Sequence, residues 1–155
     1  MKPRIRLLAS VICVVALAMT ARAELAAWDQ AKVTELAQQL EATTAELSRI
    51  FRSQPQPTRG QPDRLTYFRL QQEVRFLRRE SRTLSRALQR GADLEETLPS
   101  FESLLNTVGR AETKARRVFT IADMHQQADK ARTILNQLGP YYDPNFKPLE
   151  APARR

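Results

Sequence analysis

Cysteine is almost absent. The single one, Cys13, lies in an apolar run near the N-terminus. Bulky Ile12 precedes it, whereas a lipid-attachment cysteine follows a small residue, so the pattern is not that of a lipoprotein. Once that run is removed, no thiol remains for disulfides, thiolate catalysis, or cysteine-held metal or haem. Histidine is equally scarce, with His125 alone. A di-iron bundle needs Glu-x-x-His on two helices, and Ala122 occupies the position three before His125. A haem held by His125 and its neighbour Met124 is disfavoured, because adjacent helical residues point about 100° apart and cannot ligate opposite faces of one iron. The reading is Met124 in the core with His125 beside the seam. No Ser/His/Asp constellation stands out either. No cofactor or metal is expected, and the chain is read as non-enzymatic. Glycine numbers four, and strand-like alternation is missing.

What is present begins with an export signature. Lys2, Arg4 and Arg6 form a basic leader, Leu7 to Met19 is an uncharged apolar run, and Ala21-Arg22-Ala23 places small residues where a signal peptidase reads them. The run has 13 residues, and a membrane-spanning helix needs roughly 20. Cleavage after Ala23 and delivery to the periplasm are expected, giving a cleaved signal peptide (1–23), a helical bundle (24–139) and an extended tail (140–155). The leader takes four of the 25 basic residues and none of the 17 acids, so the formal charge falls from +8 to +4. Export removes nucleic acid as a natural partner despite the basic composition.

From Glu24 to Arg52 there is neither Gly nor Pro. Val33, Leu36, Leu40, Thr43, Leu47 and Ile50 recur at three and four, one stripe of an amphipathic helix. Pro55, Pro57, Gly60 and Pro62 break it into a polar loop. A second helix is predicted from an Asp63 N-cap to Arg90, stopped by Gly91. Its seam is Tyr67, Leu70, Val74, Leu77, Ser81, Leu84 and Leu88, with Phe68 and Phe76 widening the apolar face. A third segment is placed near Leu98, with Pro99 in its first turn, and Leu98, Phe101, Leu105, Val108, Glu112, Ala115 and Phe119 as seam. A fourth uses Ile121, Met124, Ala128, Ala131, Leu135 and Leu138 and stops at Gly139-Pro140. The last two seams are out of phase. A turn near Phe119-Thr120, a break at Gly109, or one long helix with a stammer would each account for the slip. The fold class is all-α: an antiparallel three- or four-helix bundle with coiled-coil-like seams and an extended, Pro-rich C-terminal tail.

Three features stand out as candidates for function. Glu112 sits at a seam position, where a carboxylate either acts chemically or, as is commoner, reaches water at a bundle end or meets an arginine. Tyr141, Tyr142 and Phe146 form an aromatic patch in the tail, a candidate partner contact. The competing reading is that these rings fold back over the open end of the bundle, because three exposed rings are costly. The second helix is the strongest signal. Residues 64–90 carry eight arginines against Glu73 and Glu80, a net of +6, while the rest of the mature chain is slightly acidic. Arg75, Arg79, Arg82, Arg86 and Arg90 step by four, three, four and four, forming one stripe away from the seam, with Arg78 beside it. The plain alternative is a solvated face partly neutralised by Glu35, Glu41 and Glu46 of the first helix.

These observations lead to an expectation of a periplasmic or envelope binding protein, chaperone- or adaptor-like, engaging an anionic or unfolded partner through the arginine-rich face. The partner would be a protein or an anionic envelope component, leaving peripheral membrane contact and homo-oligomer formation open. The alternative is a structural or assembly subunit of an envelope complex using helix–helix contacts; a haem or small-ligand carrier stands third.

Overall fold

A computed structural model describes residues 25–61, 63–116, 118 and 122–151. The expected leader lies outside the described residues, as do Phe119, Thr120 and Ile121. Four helices follow in order: α1 (Gln30–Ser53), α2 (Arg64–Gln89), α3 (Leu94–Ala115) and α4 (Ala122–Tyr142). No helix among the described residues is long and apolar enough to cross a membrane.

The helix ends follow from local chemistry. Asp29 caps α1 by accepting a hydrogen bond from the Lys32 backbone N–H at 2.9 Å. Asp63 holds the N-cap position of α2, but its side chain makes no capping bond; its carbonyl accepts from Tyr67 N–H at 2.8 Å. At the other end of α2, Gly91 takes φ +86°. Gly91 N–H donates to Leu88 O and Ala92 N–H to Ala87 O, the pairing that terminates a helix through a left-handed glycine.

α3 begins four residues earlier than the proline rule placed it. Asp93 and Glu96 form a reciprocal capping box, in which Asp93 accepts from Glu96 N–H at 3.0 Å and Glu96 accepts from Asp93 N–H at 3.3 Å. Pro99 consequently lies in the second turn, where it leaves the Glu95 carbonyl without its helical donor. Gly109 sits within α3 without breaking it. α3 ends at Ala115 with Arg116 as its C-cap, so the phase slip marks a connection between two helices, not one long helix.

α4 does not stop at Gly139-Pro140. It continues to Tyr142 because the helical bonding resumes past the proline, with Asp143 N–H donating to Gly139 O at 2.9 Å. The buried Tyr142 ring holds this last turn in place. It stacks on Phe101 of α3 with centroids 4.2 Å apart, meets Trp28 edge-on at 5.6 Å, and donates its hydroxyl to Thr97 Oγ1 at 3.0 Å.

Sequence neighbours run antiparallel, as Gln30 against Leu88 and Phe51 against Tyr67 show for α1–α2 and Glu112 against Arg132 and Thr97 against Tyr142 for α3–α4; α1 packs on both α2 and α4, and α2 on both α1 and α3, so α1 and α2 form the centre. At mid-length of the α1–α2 seam, Thr44 and Ser81 share a buried hydroxyl bond of 2.6 Å. Thr44, not Thr43, is the buried member there. All seven predicted seam positions of α2 are buried. α3 is rotated from its expected face: Thr97, Phe101, Leu104, Thr107 and Ala111 are buried, while Leu98, Leu105 and Val108 are only half-buried. Thr97 and Thr107 can be buried there because each hydroxyl is satisfied within its own helix, donating to Asp93 O and Ser103 O.

α3 and α4 approach each other least closely of the neighbouring helices. The tail follows that side. Phe146 lies against Gly139 and near Phe101. The Asn136 side-chain amide pairs with the Leu149 backbone in both directions, at 2.7 and 3.2 Å. Asn136 shares a face of α4 with Arg132, which reaches across to Glu112 of α3. Residues 146–149 therefore cover the α3–α4 seam. The helix thus runs three residues into the stretch expected as tail, and a turn over Asp143–Phe146, with Phe146 N–H donating to Asp143 O at 3.0 Å, follows it.

Candidate interaction surface on the second helix

α2 has a strict inner row and a basic outer face. With Leu70, Val74, Leu77, Leu84 and Leu88 turned into the bundle, positions 75, 79, 82, 86 and 90 must point outward. Arg75, Arg78, Arg79, Arg82, Arg86 and Arg90 are all exposed. From Arg75 to Arg90 the stripe runs roughly 22 Å at 1.5 Å per residue.

Acidic neighbours neutralise this stripe only in part. Glu35 is engaged by Lys32 at 3.0 Å and Glu46 by Arg49 at 2.6 Å, both within α1. Only Glu41 reaches across, to Arg82 at 3.8 Å. On α2 itself, Glu80 pairs with Arg79 at 3.0 Å. Glu73 faces the other way, into the α2–α3 interface, where it accepts from Lys114 at 2.8 Å and Arg110 at 3.1 Å. Burial pushes the Glu73 proton affinity up, but these two cations outweigh it and hold the carboxyl below the usual glutamate range. Among the described residues, Arg75, Arg78, Arg86 and Arg90 have no ion-pair partner.

The same face carries apolar side chains, among them Phe68 and Phe76, which the sequence reading takes as widening the apolar face. Phe76 is 38% exposed and Leu65 is 61% exposed. Phe68 is half-buried, edge-on to Tyr67 at 5.7 Å. Position 76 precedes Leu77 and position 68 follows Tyr67, so each is turned about 100° off the seam. Apolar identity argued for the core, and helical angle argued against it; the angle prevails. Arginines lie on both rings, with the Arg64 guanidinium 5.2 Å from the Phe68 centroid and Arg79 4.9 Å from that of Phe76.

The other candidates are engaged in pairing and packing. Glu112 accepts from Arg132 at 2.9 Å, and Arg132 also pairs with Asp129. Burial disfavours the Arg132 cation, but these two carboxylates more than offset it and raise its affinity for the proton. Met124 is buried and His125 exposed. Tyr142 is inside the core, while Tyr141 and Phe146 are half-buried, so the aromatic patch covers the bundle end and does not present three free rings. No group of three or more His, Cys, Asp or Glu among the described residues is placed to hold a metal ion. An open groove between α1 and α4 is lined by a mixture of polar and apolar side chains, among them Gln39, Thr43, Asp129, Lys130 and Ile134.

No family model, curated protein or solved structure matches this chain.

Proposed function

We propose that the protein is a non-enzymatic binding protein of the bacterial envelope, exported by its leader, that engages an anionic partner through the outer face of α2. One observation carries this reading: among the described residues, four exposed arginines on a single helical face, Arg75, Arg78, Arg86 and Arg90, have no ion-pair partner. Guanidinium groups donate paired hydrogen bonds that match phosphate and carboxylate oxygens. A face of this kind holds a ligand by charge and keeps the core out of the contact. The alternative, an assembly subunit docking through its tail, has less support because Tyr142 is part of the core.

The test replaces Arg75, Arg78, Arg86 and Arg90, the four without an ion-pair partner among the described residues, with Gln, a good helix former. Binding of anionic vesicles and of envelope extract is followed by co-sedimentation at low and high salt. The natural protein should bind at low salt and release at high salt, because the Debye length shrinks from about 10 Å at 0.1 M to about 3 Å at 1 M. The four-Gln protein should keep its helix content and lose binding. Binding that survives both salt and substitution removes the stripe from the mechanism.

A further inference from the structure

The outer face of α2 is more than a cationic stripe. Leu65, Phe68, Gln72, Phe76, Arg79, Thr83, Arg86 and Arg90 follow one another at spacings of three and four, forming a continuous row roughly 37 Å long. Its first half is apolar and its second half cationic. Arg64, Arg69 and Arg75 flank the apolar half, and a shallow depression lies between Leu65, Phe68, Arg69, Gln72 and Arg75. The two ring–guanidinium contacts hold cations at the level of the rings. The opposite face of α2 is fully committed to the bundle, so this row is free to lie flat against something outside.

Resting on the anionic-partner reading above, we propose that the partner is the surface of an anionic lipid bilayer. α2 would lie parallel to it, with Leu65, Phe68 and Phe76 entering the headgroup–acyl boundary and the arginines on lipid phosphates. A soluble acidic segment would satisfy the arginines but would leave Leu65 and Phe76 in water. A second copy of the chain would set two arginine-rich faces against each other. A bilayer interface offers both components in one plane, phosphates at the headgroup level and hydrocarbon several ångströms below. Phenylalanine and leucine are side chains that helices lying in that boundary bury on their apolar face.

Because Cys13 is the only cysteine in the chain and lies in the leader, a cysteine introduced into the processed protein can be labelled uniquely. The experiment uses protein recovered from the envelope of an expressing bacterium. Leu65→Cys, and Thr133→Cys, exposed in the α1–α4 groove, each carry an environment-sensitive fluorophore. Phosphatidylglycerol-containing vesicles should shift the Leu65 probe to shorter wavelength and leave the Thr133 probe unchanged. Pure phosphatidylcholine should shift neither. In parallel, Leu65→Ser with Phe76→Ser should weaken binding to the anionic vesicles about tenfold, the order expected for taking two side chains out of the boundary. Binding of the same double variant to soluble polyglutamate should be unchanged.

A Leu65 probe that stays water-like on bound anionic vesicles overturns the proposal, as does vesicle affinity indifferent to the two serines. If the natural protein binds polyglutamate but not vesicles, and the four-Gln variant loses that binding, the bilayer falls and the anionic-partner reading stands. If neither ligand binds at low salt, both fall.

Discussion

The orientation of α2 decides which arginines are free, and adjacent apolar residues on that helix test it. Leu77 and Phe76 each invite assignment to the core, and Phe76 is the larger. In the fold, Leu77 is 7% exposed and Phe76 is 38% exposed. Leu77→Asp forfeits the burial of a leucine side chain, about 1.5–3 kcal/mol. It also places a carboxylate in an apolar seam between Val74, Ser81 and Leu84, at a further cost of at least about 2 kcal/mol. The total approaches the whole stability of a small domain, about 5–15 kcal/mol. Phe76→Asp loses partial contact and the Arg79 stacking, about 0.5–1 kcal/mol for the latter. It regains a few tenths of a kcal/mol from a new acid three residues before Arg79. A net loss of about 1 kcal/mol is expected. For a domain of this size 1 kcal/mol moves Tm by about 4 °C. Thermal unfolding followed by far-UV circular dichroism should therefore show Phe76→Asp melting a few degrees below the natural protein. Leu77→Asp should melt at least about 15 °C lower or lose its cooperative transition. Equal melting temperatures, or a greater loss at Phe76, would show that α2 is rotated from the orientation described and that the arginine face is misassigned.

Two further outcomes follow from the packing. Glu73 has its carboxyl held below the ordinary glutamate range by Lys114 and Arg110, so its contribution is present above that range and disappears as pH falls through the folded-state value. Tm should drop on acidification below about pH 4.3, and Glu73→Gln should lower Tm at neutral pH while flattening that drop; an unchanged acid profile would mean the α2–α3 pairing contributes nothing. A Cβ on Gly139 would run into the Phe146 ring, so Gly139→Val should destabilise by about 1–3 kcal/mol and speed protease cleavage of the tail, whereas the same change at Gly109, which has open space around it, should leave cleavage unaltered.

The all-helical class, the punctuation after α1 and after α2, and the seven seam positions of α2 were legible in the residues, though not the buried Glu73 and Ser85 beside them, because a 3.6-residue period repeated over many turns outweighs any single exception. The stripe of arginines was legible for the same reason. Legibility failed where identity and angle disagree. Phe68 and Phe76 are apolar but off the seam, and only the position of α1 and α3 against α2 leaves them outward. Thr97 and Thr107 are polar but buried, because each hydroxyl finds a carbonyl in its own helix. The capping box at Asp93 and Glu96 was present in the sequence as a start signal, yet Pro99 drew the boundary downstream. Gly139-Pro140 reads as a stop in any linear scan. It is overruled by Tyr142, whose ring is secured by Phe101, Trp28 and Thr97, residues 41, 114 and 45 positions earlier. Charge density along α2 belongs to the sequence; whether that charge is free belongs to tertiary structure. Glu35 and Glu46 turn to cations on their own helix and Glu73 turns inward to α3, and that division of acids among partners depends on which side chains come within about 4 Å of one another, which one-dimensional spacing does not specify.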